Sequence, residues 1–170
     1  MFWFKRTDDK DGTNEDTNHL INNVMFSQGS DNSNDNIEIG TEGTKIEMYL
    51  DSRGTNNYMS YDAGISDNAW YHIAVTYNMD NTDVCLLYLN GSEINRFNEP
   101  SGDLDNSGSS QITIGDTDHN TQPFTGQMDE VAVWSSELSS SQISAIYNGG
   151  SGIGDVTTSY SSDLELYIKF

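Results

Sequence analysis

The stretch WYHIAVTYNMDNTDVCLLYLNG, Trp70 to Gly91, decides the fold. Its first half alternates, with Tyr71, Ile73, Val75 and Tyr77 on one side and His72, Ala74 and Thr76 on the other. Its second half, Val84 to Leu89, is apolar nearly throughout, with Cys85, Leu87 and Leu89 opposed to Leu86 and Tyr88. Period-two alternation marks a strand buried on one face, and a continuous apolar run suits a strand covered on both. Asn78, Asp80, Asn81 and Asp83 supply turn chemistry between the two runs, and Asn90-Gly91 closes the second with a tight reversal. The centre of the chain reads as a β-hairpin inside a sheet protein.

The flanking sequence extends that reading. Phe2 to Arg6 (FWFKR) reads as a strand, followed by a polar loop over Asp8 to Asn18. Further strands are expected at Leu20 to Ser27, Ile37 to Ile39, Lys45 to Leu50, Glu93 to Phe97, Gln111 to Gly115 and Met128 to Trp134, with a short strand or turn at Asn57 to Tyr61. Strands recurring at short intervals with turn signals indicate a sandwich or jelly roll. One helix is predicted over Ser139 to Tyr147, capped by Ser139 or Ser140, with Gln142 as capping-box partner and Ile143, Ile146 and Tyr147 on one face. Asn148-Gly149-Gly150 ends it, and its expected place is the open end of the sandwich. After a spacer, Asp163 to Phe170 (DLELYIKF) reads as a last strand.

Length and charge bound what the chain does. At 170 residues it is expected to form one domain, residues 1–170, with a real core. Twenty-seven acids against seven bases give a net charge of -20, which excludes neutralisation of nucleic-acid phosphates and disfavours anionic membranes. The acidity reads either as solubility or as carboxylates gathered for a hard cation. Cys85 is the only cysteine, so neither an intrachain disulfide nor a cysteine metal site is available, and it reads as a small buried hydrophobe. No apolar run approaches transmembrane length, and the order of charges in MFWFKRTDDK is the reverse of a signal peptide.

WYHIAVTYN, then VCLLYLNG, ITIGD and FTGQMDEVAVWSSELSSSQISAIYNGG resemble, in this order, the laminin-G-like and pentraxin-like jelly roll of the concanavalin A-like superfamily. The carrying residues are Trp70 and His72, the turn from Tyr88 to Gly91, Ile114-Gly115, and the run from Phe124 through Gly126, Asp129, Val131 and Trp134 to Leu138, Ile143 and Tyr147-Asn148-Gly149. The resemblance implies an all-β, two-sheet antiparallel sandwich with one short helix near the C-terminus. Family domains have one or two strands ahead of the FWFKR-like one, and DLELYIKF resembles the strand that opens such a domain. The chain is therefore expected to be a module of a longer or tandem array, or to use residues 163–170 as a terminal strand completing its own sheet or a neighbour's.

The same resemblance implies candidate sites. Pentraxin-type members hold Ca²⁺ with an Asp-Asn pair opening a strand, acids after the Ile-x-Gly strand, and a Gln before the Phe-x-Gly segment. Asp35 and Asn36, Asp116 and Asp118, and Gln122 match these features, and oxygen ligands suit Ca²⁺. The alternative is that these are turn residues in a chain rich in Asp and Asn. His119 and Asn120 lie in the same loop as candidate ligand contacts, and Tyr58 and Tyr61 are candidates for stacking on sugar rings or for the core. His72 reads as structural. Superfamily glycosidases carry paired carboxylates as Glu-x-Asp-x-Glu on one strand, and no such motif occurs here; Asp129 and Glu130 are adjacent, so on a regular strand they face opposite ways.

The sequence thus predicts a non-enzymatic binding or adhesion module for glycans or a protein partner, extracellular or on a virion or cell surface, with Ca²⁺ as its candidate cofactor. The second reading is a structural subunit of a filament, tail fibre or surface layer, assembled through sheet edges or the terminal strand.

Overall fold

The computed structural model describes residues 1–9, 23–29, 37–52, 55–78, 84–97, 111–116 and 123–170. Their strands are β1 (Phe2–Arg6), β2 (Val24–Gln28), β3 (Ile37–Glu42), β4 (Lys45–Ser52), β5 (Thr55–Asp62), β6 (Tyr71–Asn78), β7 (Val84–Leu89), β8 (Ser92–Phe97), β9 (Ile112–Ile114), β10 (Gly126–Asp129), β11 (Val131–Trp134) and β12 (Leu164–Ile168). Two α-helices accompany them, α1 (Ser140–Tyr147) and α2 (Val156–Ser159), with a 3-10 turn over Asn148–Gly150 after the first.

The hairpin read from the sequence is the centre of the first sheet, whose order is β10-β1-β6-β7-β8. Ile73 pairs with Leu89 and Asn78 with Val84, so the alternation of each strand carries across to the other. The turn into β8 has Asn90 at φ 50° and Gly91 at φ 77°, the pair of positive values a tight hairpin needs to match strand twist. Asn90 also accepts from the His72 N–H through its side chain (3.0 Å) and donates its own N–H to the His72 carbonyl (2.8 Å). The second sheet runs β5-β4-β3-β2-β9.

The main core lies between the sheets. Phe2, Phe4, Ile73, Cys85 and Leu87 meet Met25, Ile39, Ile46, Met48 and Leu50, all buried. Burial pushes the Cys85 thiol up to about 12, so this cysteine is a small apolar filler. At the rim, buried Arg6 reaches Asp67 (2.7 Å), Asp9 (2.8 Å) and Thr41 of β3 (3.4 Å), tying β1 to the second sheet.

A second core sits on the outer face of the first sheet. Ala74, Tyr88 and Ala132 pack there against Ile143 and Ile146 of α1 and Val156 of α2. The helix was expected at the open end of the sandwich; it lies instead on this face, where Ala74 and Ala132 leave room for it. Its cap matches the sequence reading: Ser139 is the N-cap, and Gln142 returns its side chain to the Ser139 N–H (2.8 Å). Asn148, left-handed at φ 49°, ends it.

Three further differences have local causes. The strand expected over Met128 to Trp134 is broken at Glu130, which is left-handed at φ 52° and separates β10 from β11. Thr55–Asp62 is a full strand rather than a short strand or turn, because it pairs along all of β4. The spacer before the last strand holds a single-turn helix, α2, capped by Asp155 through the Thr157 N–H (2.8 Å).

The last strand pairs antiparallel with β11, from Val131↔Ile168 to Trp134↔Leu164. On its other side β11 meets the start of β1, where Ala132 donates to the Met1 carbonyl (2.9 Å). Residues Leu164–Ile168 therefore form a two-stranded sheet with β11, tied to the start of β1 through Met1.

Candidate functional site

The first sheet's register sets out a row of side chains on its outer face. Trp3 lies directly across from Asp129 on one neighbour and from His72 on the other. Because Phe2 and Phe4 point into the core, Trp3 must point out. It stacks on Tyr147, which ends α1, with centroids 5.6 Å apart, and lies tilted against the His72 ring at 5.1 Å. Each such pair contributes about 0.5–1.5 kcal/mol beyond area burial. The His72 ring is 1% exposed and its Nε2 lies 3.2 Å from Met1 Sδ. Burial holds its pKa down to about 3, so it is a neutral packing residue behind the Trp3 indole and has no access to solvent.

The break at Glu130 changes what the Asp129-Glu130 pair can do. On a regular strand the two side chains face opposite ways; the left-handed backbone of Glu130 brings both to one cleft. A non-glycine residue in this region is held only where the surroundings fix it. Here Asp129 Oδ1 accepts from the Glu130 N–H (2.8 Å) and from the Phe170 N–H (3.0 Å). The Lys169 ammonium lies 3.4 Å from Glu130 Oε1 and donates to the Gly154 carbonyl (2.7 Å). The two residues that follow the last strand, Lys169 and Phe170, thus steady both carboxylates.

The cleft is open to solvent, has a volume of about 260 Å³, and is lined by Trp3, Trp70, Asp129, Glu130, Gly150 and Ser151. Trp70, just before β6, is 45% exposed. Gly152, left-handed at φ 62°, lies beneath: a β-carbon there would stand 3.2 Å from Glu130 Oε2 and 3.7 Å from Trp3 Nε1. Aromatic faces beside fixed acceptors are what a site for a small polar molecule with an apolar side requires.

Of the residues singled out from the sequence, those the structure describes, Tyr58, Tyr61 and Asp116, lie elsewhere. Tyr61 is half-buried against the main core. Tyr58, half-buried beside Val24 and Tyr49, donates its hydroxyl to Glu47 Oε1 on the outer face of the second sheet. Glu47 is 6% exposed, and burial, reinforced by nearby Glu42 and opposed by the Tyr58 hydroxyl, pushes its pKa up to about 7. Asp116 is half-buried, and its carbonyl accepts from Ser27 Oγ (3.1 Å). Asp35, Asn36, Asp118, His119, Asn120 and Gln122 lie outside the described residues. The Phe124 N–H donates to the Gly115 carbonyl (2.9 Å) beside the start of β2, where Val24 bridges to Pro123. Ile37, which follows Asn36, pairs with Gln28 at the other end of β2. Among the described residues no group of three or more His, Cys, Asp or Glu side chains is placed to hold a metal ion.

Sequence reasoning missed this cleft. Its legible signal was Trp3, the outward residue between two inward phenylalanines.

Two antiparallel five-stranded sheets packed face to face define a lectin-like jelly-roll sandwich. A sequence profile described as the concanavalin A-like lectin/glucanases superfamily, of the laminin G type, matches residues 1–144. The chain belongs to that family. Among solved structures it is similar to the heptameric SAP-like pentraxin of Limulus polyphemus, at 18% identity and a TM-score of 0.62, covering 91% of this chain and 70% of that one. It is similar also to a Bacteroides ovatus protein assigned to carbohydrate binding, at 23% identity and a TM-score of 0.63, covering 99% of this chain and 44% of that one. The receptor-binding domain of botulinum neurotoxin type G matches at 19% identity and a TM-score of 0.54, covering 86% of this chain and 36% of that one. The chain thus spans under half of the last two, and these likenesses establish the fold. A search of curated protein sequences finds no match. Among the described residues no helix is long and apolar enough to cross a membrane.

Proposed function

We propose that this chain is a non-catalytic recognition module that binds a glycan or a protein partner at the surface of a cell or particle. The observation that carries the reading is the cleft in which exposed Trp70 faces two carboxylates fixed by the two residues after the last strand. The carbohydrate-binding and receptor-binding roles of proteins that share the fold support it, and fold alone leaves the partner open. The test is a glycan array and a cell-surface binding assay run with the chain and with Trp70→Ala. Binding that the substitution removes supports the reading. Release of reducing ends from any bound oligosaccharide would overturn its non-catalytic part, and binding unchanged by the substitution would place recognition elsewhere.

Ca²⁺ is part of the same proposal. Asp116, Asp118 and Gln122 fall within seven residues of sequence, and their side-chain oxygens are the chemistry this cation selects. Asp35 and Asn36 precede Ile37 in sequence, and Ile37 pairs with Gln28 at the far end of β2. Thermal unfolding with Ca²⁺ and then with EDTA, at fixed ionic strength, is the check. A ligand bound only to the folded state at a hundredfold excess over its dissociation constant adds about 2.7 kcal/mol. A rise in Tm that Asp116→Ala abolishes supports the loop site, and no rise removes Ca²⁺ from the proposal.

A further inference from the structure

We infer that the outer-face cleft takes a single uncharged pyranose, stacked on Trp70, and turns away acidic sugars. This deepens the recognition reading and rests on it. The argument begins with the sense of the hydrogen bonds. Indole N–H groups only donate and ionised carboxylates only accept. Neither Trp3 nor Trp70 has a hydrogen-bond partner for its indole N–H among the described residues, while the contacts of Asp129 and Glu130 there fall on Oδ1 and Oε1, leaving Oδ2 and Oε2 without a hydrogen bond among the described residues. A molecule that answers both sets must accept and donate from neighbouring atoms, which is the property of a hydroxyl. An ammonium answers only the carboxylates, and a carboxylate or sulfate only the indoles.

Charge narrows the class further. Two carboxylates line the cleft of a chain whose net charge is -20, so an anionic sugar meets repulsion on approach and again on contact. A cation is met differently: Lys169 already stands on Glu130 Oε1 and on the Gly154 carbonyl, and a ligand ammonium would have to displace it. An uncharged ring displaces nothing. The exposed Trp70 face supplies the apolar surface that the C–H side of a pyranose covers. The volume, about 260 Å³, falls under the roughly 300 Å³ at which pockets for drug-sized ligands begin, and suits one ring.

Three of the parts lie beyond the stretch matched by the family profile, residues 1–144: the Gly150-Ser151 wall, Lys169 and the Phe170 N–H.

The test uses the whole chain and two panels of probes, followed by tryptophan fluorescence and calorimetry. One holds neutral oligosaccharides of glucose, galactose, mannose, xylose and N-acetylglucosamine; the other holds oligogalacturonate, hyaluronan and heparin fragments. We expect binding within the neutral panel only. Trp70→Ala, at a half-exposed position that folding tolerates, should weaken it about tenfold or more. Asp129→Asn with Glu130→Gln keeps the acceptors that hold Phe170 and should raise acidic-sugar binding relative to neutral. Acidic sugars bound as well as neutral ones, with loss on Trp70→Ala, would overturn the specificity and leave the recognition reading standing. Neutral sugars bound without any effect of Trp70→Ala would overturn the site. No sugar of either panel bound by the folded chain would overturn the inference and the glycan arm of the recognition reading together, leaving only a protein partner.

Discussion

A β-carbon on Gly91 would stand 2.7 Å from Cδ1 of Tyr147, so the turn between β7 and β8 is built to let that ring lie against bare backbone. The same ring is the one on which Trp3 stacks, at 5.6 Å. A glycine in a hairpin turn thus helps set the wall of the cleft. Gly91→Ala meets two penalties, a left-handed backbone at φ 77° and a collision with Tyr147. Together these are expected to cost about 2–4 kcal/mol. Calorimetry should show the fall in Tm, and tryptophan emission should shift as Trp3 loses its stacking partner, more than in Gly43→Ala, where a β-carbon meets nothing.

Two buried titrating groups make opposite demands on pH. His72 is held neutral by burial to about 3, against 6.5 when unfolded, so between those values the unfolded chain binds more protons and stability falls as pH drops below 6.5. Glu47 is raised by burial to about 7, against 4.5 when unfolded, so its contribution is full below 4.5 and is lost as pH rises toward 7. Each slope is at most about 1.4 kcal/mol per pH unit. Between about pH 5 and pH 6.5 they offset one another. Urea midpoints across that window are expected to rise with pH for Glu47→Gln and to fall with pH for His72→Gln, each relative to the unsubstituted chain. Parallel profiles for all three would refute the assignment.

The cap of α1 makes a finer prediction. Gln142 reaches the Ser139 N–H at 2.8 Å, whereas the Ser139 hydroxyl accepts from the Gln142 N–H at a longer 3.4 Å. The better-made half of the box belongs to glutamine. Both Ser139→Ala and Gln142→Ala should destabilise within the range of about 0.5–2 kcal/mol for cap losses, with Gln142→Ala the larger. Equilibrium urea unfolding of the two variants resolves the order.

The parts of this fold that were legible in sequence are those that local chemistry specifies. The hairpin of β6 and β7 declared itself because Ile73, Val75 and Leu87 must share a face, and Asn90-Gly91 is a turn whatever surrounds it. The cap at Ser139 needs only residues within one helical turn. The left-handed Glu130 was not legible, because glutamate has no preference for that backbone and adopts it here under contacts from Asp129 and Lys169. The seat of α1 was misplaced for a similar reason: Ile143 and Ile146 show that one face is buried, and only the small residues Ala74 and Ala132 on distant strands show against what. The cleft depends on both of these, so it was hidden along with them.

The last strand offers a prediction about assembly. Leu164–Ile168 covers the edge of β11, and Leu164 and Tyr167 pack into the outer core with Ala132 and Ile143. Removing residues 163–170 would bare the backbone of Val131–Trp134 and uncover that core, the kind of edge that recruits another strand. It also removes Lys169 and the Phe170 N–H, the contacts that fix Glu130 and Asp129. The shortened chain is expected to lose stability and to associate with rising concentration in sedimentation analysis. A peptide spanning Asp163–Phe170, added in excess, should restore the single-copy form and the Tm, because the strand it supplies pairs by backbone hydrogen bonds that do not require covalent connection. The same peptide carrying a proline at Leu166 lacks a ladder N–H and should fail. If the shortened chain stays a stable single copy, β12 is a dispensable cover, and the steadying of the cleft by residues 169–170 must be read from ligand binding alone.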